Sequence, residues 1–398
     1  MPLRPPAGFI STFYDPLKNP NAPTIGVATA GNANASVTFT APSNSGGSAI
    51  TAYYAVSNPG QFTGTAASSP VSVTGLTNGT PYTFSVWALN TYGPSAYSAA
   101  SGSVTPTAGL SGDIGLFGGG GSLNVIDYIT ITSTGNATDF GDLVAAIQIG
   151  GAACASTTRG IWAGGYNGGN TNVIQYVTIA TVGNATSFGE LLAANRRFAG
   201  GNNTTRGLFG GGYPGPATSA ISYITIATTG NATSFGTLSN GFEGVASCCS
   251  PTRCVWAGGN NNVGGGNLNV IEYVTTATTG NATDFGDLTV ARSYMPGCSS
   301  STRGIFGGGI TTVEVNIIDY ITIASTGNAT DFGDLSAVNS SFASCSNATR
   351  GIFAGGSGST NVIQYVTLAT TSNTTSFGAL TVGRTEVTGL SNINGGVQ

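Results

Sequence analysis

Between Asn21 and Pro106, apolar and polar residues alternate in short runs: Ser36-Val37-Thr38-Phe39-Thr40, Ala49-Ile50-Thr51-Ala52-Tyr53-Tyr54-Ala55-Val56 and Tyr82-Thr83-Phe84-Ser85-Val86-Trp87-Ala88. A period of two predicts half-buried strands. From Gly112 onward the strands fall into a repeat. Ile-x-Tyr recurs at Tyr128, Tyr176, Tyr223, Tyr273, Tyr320 and Tyr365, in steps of 48, 47, 50, 47 and 45 residues. Each of the six units carries an aromatic before glycines, as in Trp162-Ala163-Gly164-Gly165 or Phe209-Gly210-Gly211-Gly212, and then the tyrosine strand. Asn-Ala-Thr-x-Phe-Gly-x-Leu or a close variant follows, with Phe140, Phe188, Phe235, Phe285, Phe332 and Phe377.

A unit of this length holds about four short strands, and one such sheet cannot bury both faces until neighbours stack on it. The expected fold is therefore all-β, with a six-bladed β-propeller over residues 112–398. Its first unit begins directly at Leu116-Phe117-Gly118-Gly119-Gly120 and lacks the small-residue strand that opens the others. Thr385-Glu386-Val387-Thr388-Gly389-Leu390-Ser391-Asn392 aligns with Ser340-Ser341-Phe342-Ala343-Ser344-Cys345-Ser346-Asn347, so the C-terminal strand is expected to complete the first blade.

Residues 21–108 resemble fibronectin type III domains. The resemblance rests on Ala41-Pro42, Gly46-Gly47 and the run from Gly75 to Asn90, Gly75-Leu76-Thr77-Asn78-Gly79-Thr80-Pro81-Tyr82-Thr83-Phe84-Ser85-Val86-Trp87-Ala88-Leu89-Asn90. It implies a β-sandwich with Tyr82 as a tyrosine-corner residue and Phe39 where many members carry a core tryptophan. The order of motifs after Gly112 resembles kelch repeats, with phenylalanine where kelch has tryptophan. Residues 1–20 hold five prolines with Phe9, Phe13 and Tyr14, and read as an extended arm whose aromatics insert into a partner.

Composition narrows the chemistry. The 398 residues include 63 glycines and no histidine, only 7% are charged, and the net charge is −4. No charge occurs from Asn19 to Gly112, and Lys18 is the sole lysine, so no basic surface for nucleic acid is expected. No stretch reaches the length of an apolar membrane span, and no signal-peptide h-region opens the chain. The six cysteines read mostly as free thiols.

Candidate sites are weighed against their architectural readings. Cys154, Cys248, Cys298 and Cys345 each precede a recurring arginine (Arg159, Arg253, Arg303, Arg350) by five residues. A thiol ring could hold a soft metal, but it lacks companion ligands, so small-residue packing is expected and no cofactor. Arg206 joins the arginine set, which is expected to fork onto backbone carbonyls or carboxylates of adjoining strands. The equivalents of Asp139/Asp142, Asp284/Asp287 and Asp331/Asp334 in the other units, Ser187/Glu190, Ser234/Thr237 and Ser376/Ala379, lose one or both carboxylates, so they read as turn and strand-end residues rather than calcium ligands. The glycine runs lack a following Lys-Ser/Thr and are not phosphate cradles. Without histidine or converging acids, no nucleophile–base pair is expected, and the chain reads as no enzyme.

Gly-Asn-Ala-Thr-Asp-Phe-Gly-Asp-Leu, the run Thr302 to Gly309 and Asn-Val-Ile-x-Tyr-Val-Thr are similar to repeats in virion structural proteins of tailed phages, notably those of marine cyanobacteria. The resemblance implies a tail-fibre or tail-tip adhesin or head appendage at the virion surface, assembled in the host cytoplasm. Its partners would be other virion proteins through the arm and a host envelope glycan or protein. A homo-oligomer is compatible, although no heptad sets a symmetry. A carbohydrate-active propeller enzyme and a bacterial surface adhesin are the alternatives. Target contact is expected at loops that break the repeat, through Tyr166, Asn167, Tyr213, Asn260 and Asn261.

Overall fold

The computed structural model describes residues 17–107, 109–261 and 266–393. The chain divides into two compact units, Met1–Gly109 and Leu110–Gln398. Both are built of strands, with one 3-10 turn at Ser357–Ser359 among the described residues.

In the first unit β1 (Thr24–Gly31), β2 (Asn34–Thr40), β3 (Ile50–Asn58), β4 (Thr63–Ala66), β5 (Val71–Thr74), β6 (Thr83–Asn90) and β7 (Gly93–Pro94) form two antiparallel sheets. Their orders are β1-β2-β5 and β4-β3-β6-β7. The alternation seen in sequence places Val37, Ala55, Val71, Val73 and Val86 wholly inside. Phe39 packs on Tyr53 with ring centroids 4.5 Å apart, and the Tyr82 hydroxyl accepts the Thr77 amide at 3.1 Å. Beyond β7, Ser95, Ser98 and Ser101 donate their amides to Ala88, Val86 and Phe84. Their hydroxyls accept the amides of those same three residues. Serine side chains thus supply the acceptors that a paired strand would provide.

Within the arm expected over residues 1–20, Lys18 and Asn19 bond to the first unit's strands: Asn90 donates to the Lys18 carbonyl and Asn19 to that of Pro94, both at 2.9 Å. Phe9, Phe13 and Tyr14 lie outside the described residues.

Among the described residues the second unit forms six four-stranded antiparallel sheets, numbered I to VI. Sheets II to VI take their strands in chain order from first strands Ala152–Ala155, Ala199–Asn202, Ala246–Cys249, Gly297–Ser299 and Ala343–Ser346. Sheet I begins at Ile114–Gly118 and receives its first strand from Thr388–Ser391, with Leu390 opposite Leu116. Each first strand contacts the next, and Thr388–Ser391 contacts those of both sheet VI and sheet II, so the contacts run in a cycle. Within every sheet the tyrosine of the third strand meets the phenylalanine of the fourth edge-on, at 5.8–6.3 Å between centroids.

The repeated phrases are the parts of the inter-sheet junctions. The asparagine of each Gly-Asn-Ala-Thr variant accepts a backbone amide from the fourth strand of the preceding sheet at 3.0–3.1 Å; the six are Asn184, Asn231, Asn281, Asn328, Asn373 and Asn136. The glycine of Phe-Gly admits this approach, since a Cβ on Gly236 would stand 2.0 Å from the Gly280 carbonyl oxygen. Further in, the recurring arginines donate to backbone carbonyls of the following sheet at 2.8–3.1 Å. Each lies over its own sheet's tyrosine at 4.4–4.8 Å. A planar guanidinium can stack and donate at once, which an ammonium cannot. Sheet I has Ile114 in the arginine position, and the Leu110 amide donates instead to Ala180 of sheet II.

Carbonyls, then, are the arginines' partners. The carboxylates of Asp127 and Asp319 pair instead with Arg384 and Arg292, at 3.1 and 2.9 Å, with all four side chains wholly buried. Arg384 enters with the C-terminal strand and also donates to the Phe117 carbonyl, so a desolvated ion pair fastens that strand to sheet I. Removing one member of such a pair strands the other charge, at a cost of ~3–5 kcal/mol. Arg384→Met is expected to lose about that much stability in guanidinium-induced unfolding; an unchanged midpoint would show that the pair does not hold the closing strand.

Candidate functional site

The six cysteines do not form a ligand ring. Cys154, Cys248, Cys298 and Cys345 are free and buried, and each thiol faces a glycine on the second strand of the next sheet. A Cβ there would stand 2.4–3.0 Å from sulfur, at Gly207, Gly304, Gly351 and Gly115 respectively. Sheet III inverts the arrangement, with Gly201 where sulfur is expected and Cys254 of sheet IV where the other sheets have glycine. Cys254 is bonded to its cross-strand partner Cys249. Burial raises the pKa of all four free thiols, that of Cys298 to about 12. Among the described residues no group of three or more His, Cys, Asp or Glu could hold a metal. Asp139, Asp284 and Asp331 are exposed at the starts of fourth strands. Ellman's reagent should find no reactive thiol in the native chain and four after denaturation; fast native reaction would contradict the packing.

The loops between second and third strands lie beside the connectors that lead into the first strands. Tyr166 bridges Ile149, Asn260 bridges Glu243 and Ile310 bridges Ser293. The expected target residues Tyr166, Asn167, Tyr213, Asn260 and Asn261 are therefore on this side. Tyr166 and Tyr213 are half-buried rather than freely exposed, because Arg196 stands 4.8 and 5.2 Å from their ring centroids. Asn170 ties the two loops together by donating to the Tyr213 carbonyl at 2.9 Å. Asn167 is exposed, while Asn260 and Asn261 are half-buried.

A further set emerges only in the fold. Two residues before their first strands, or three for Tyr294, Arg197, Gly244, Tyr294, Ser341 and Glu386 all have left-handed φ, between 54° and 63°. Each amide donates to the equivalent residue of the preceding sheet, from Arg197 to Gly150 and onward to Glu386 with Ser341, at 2.7–3.1 Å. Left-handed backbone favours glycine and costs other residues ~1–2 kcal/mol each. Four of the five nonetheless carry side chains, and such strain marks functional positions.

Three of those side chains converge with Glu243, contrary to the expectation of no convergent acids. Arg197 reaches Glu243 at 3.8 Å and Glu386 at 3.6 Å. It also lies over the Tyr294 ring at 5.0 Å, while the Tyr294 hydroxyl donates to Glu243 at 3.1 Å. The acids escaped the sequence reading because they occupy different repeat offsets: Glu386 is itself a left-handed residue and Glu243 immediately precedes Gly244. Arg197, Tyr294 and Glu386 line a cavity of about 140 Å³ to which all six first strands contribute. Beside it a groove runs along Asn260, Asn267, Ser293, Tyr294 and Ile310.

Polar groups on this side are left open. Among the described residues Asn170 Oδ1, Arg196 Nε, Arg197 Nε and Asn261 Oδ1 are buried without a protein partner. Such atoms are rare and call for a role. Burial raises the Tyr294 pKa to about 12, so the phenol stays a donor. Burial also raises Glu386 above its ordinary 4.5, with Arg197 opposing. No family model matches this chain, and no curated protein matches it.

The folded state thus binds the Glu386 proton more tightly than the unfolded chain does. Its ionised carboxylate opposes folding above the folded-state pKa, and the penalty fades as pH falls toward 4.5. Glu386→Gln should melt above the parent at pH 7, with the gap closing on acidification to that value; a gap independent of pH would refute the assignment.

Proposed function

We propose that this chain is a virion surface protein of a tailed phage, a tail-fibre or tail-tip adhesin or a head appendage that attaches the particle to host envelope glycan. In this reading the second unit is a six-bladed kelch-like β-propeller, supported by the cyclic contacts of its first strands and the pairing of Thr388–Ser391 with sheet I. The first unit is a fibronectin type III-like sandwich, supported by its two sheet orders and the Tyr82–Thr77 bond. Phe9, Phe13 and Tyr14 anchor it to other virion proteins.

One observation carries the attachment role. On a scaffold that is otherwise uniform, the irregular loops, the strained non-glycine residues and the unpartnered polar atoms Asn170 Oδ1, Arg196 Nε, Arg197 Nε and Asn261 Oδ1 gather on one side. Variation confined to one side of a repeated frame makes a recognition surface. Tyrosine, arginine and asparagine suit sugars there, offering flat apolar area beside directional hydrogen bonds.

A second reading, a carbohydrate-active enzyme, draws on the meeting of Glu243 and Glu386 at Arg197. Against it, Arg197 pairs with both acids, and the phenol beside them is protonated rather than activated.

Mass spectrometry of purified particles should find the chain. A chain lacking residues 1–16 should fold yet stay off particles. Tyr166→Ala with Tyr213→Ala should join particles while cell binding falls about tenfold, the loss of roughly 1.4 kcal/mol. Absence from particles, incorporation without the arm, or undiminished cell binding would each remove the corresponding part; release of reducing ends from envelope polysaccharide would favour the enzyme.

A further inference from the structure

Building on the attachment reading, we infer that the cavity rim at Arg197, Tyr294 and Glu386, with Glu243 bonded to Tyr294, is a pocket for one terminal, uncharged sugar unit of the host glycan. The central cavity admits the ring edge, and the neighbouring groove leads the chain away past Tyr294.

Charge balance selects the class of ligand. The charged groups acting on Tyr294 and Glu386 are Arg197 and, from between the Tyr166 and Tyr213 rings, Arg196, against the carboxylates of Glu243 and Glu386, two cations and two anions beside a neutral phenol. A uronic acid or amino sugar would bring an unmatched charge into a partly desolvated site, which is penalised. Hydroxyl groups bring none, and each can donate and accept at once.

The geometry leaves room for them. Charge-assisted hydrogen bonds close at about 2.7–2.9 Å, whereas Arg197 stands 3.8 and 3.6 Å from its two carboxylates. Ser341 reaches Glu386 only at 3.4 Å, and Arg197 reaches the Tyr294 hydroxyl only at 3.3 Å. The guanidinium and carboxylates are thus placed side by side without using up their bonding capacity. Vicinal hydroxyls can bridge them, donating to a carboxylate while accepting from the guanidinium. The left-handed backbone at Arg197, Tyr294 and Glu386, at φ of 56°, 57° and 57°, holds the three side chains at this rim. That arrangement suits a pocket formed in advance of its ligand.

Saturation-transfer NMR and calorimetry on the full chain test this with methyl α-mannoside, methyl α-glucoside and methyl β-galactoside against glucuronic acid and glucosamine. At least one neutral glycoside should bind, with both charged sugars at least about tenfold weaker. Arg197→Lys and Tyr294→Phe, each retaining the parent's melting temperature, should weaken it about tenfold, as expected for a lost hydrogen bond to a charged group. Binding of no neutral glycoside, preference for a charged sugar or a peptide, or parent-like binding by both variants would overturn the pocket. Attachment is separable: a chain absent from particles fails that reading while sugar binding stands. A chain present on particles whose adsorption is unaffected by a neutral glycoside that binds the parent overturns the pocket's role alone.

Discussion

A four-stranded sheet that is apolar on both faces cannot stand in water by itself, and the second unit is organised around that constraint. Every sheet must borrow its covering from two neighbours. The borrowing is specific because each junction is fastened to backbone atoms, which do not vary with sequence. Asparagine takes an amide at the outer edge, arginine takes carbonyls further in, and the left-handed residues pass amides from sheet to sheet at the cavity rim. Third-strand polar residues such as Gln175 and Glu272 add acceptors for amides of the preceding sheet. A handful of charges therefore suffices, and the surface can be left to hydroxyls and amides.

The same constraint explains what the sequence discloses. Tyr128 and its five equivalents, the Phe-Gly steps and the late strand near Leu390 are visible because each junction needs the same residues at the same interval. Gly201 and Cys254 are informative in the opposite way: a bulky group missing from one side of a junction is restored from the other, which only the packing displays. Arg292 and Arg384 were not anticipated, since neither recurs in all sheets, and their partners lie in strands 27 and 257 residues away. Glu243 and Glu386 were missed for a related reason. A register that compares equivalent positions cannot reveal acids that meet from unequal ones.

In the proposed reading, recognition sits where the repeat is broken. The frame tolerates Arg, Tyr, Ser or Glu at its left-handed positions because the amide bond to the preceding sheet is made by backbone alone. The side chain at each position is then free to be chosen for what it presents to the cavity. Arg196 between Tyr166 and Tyr213 shows the same economy, one cation organising two loops that share no strand. Rigidity from the junctions and variety from the rim are separate properties of separate atoms.

The pairing of Leu390 with Leu116 has a temporal side. These residues are 274 positions apart, so at a synthesis rate of about 5–20 residues per second the strand Ile114–Gly118 waits for roughly a quarter to a full minute before its partner exists. During that interval its edge is open to any other strand nearby. Chains made side by side on one message are the nearest source of such strands, and each carries the same Thr388–Ser391 segment. Prompt closure onto the start of the chain's own second unit therefore decides between a solitary molecule and one stitched to its neighbour, and the buried Arg384–Asp127 pair ties the correct end in place.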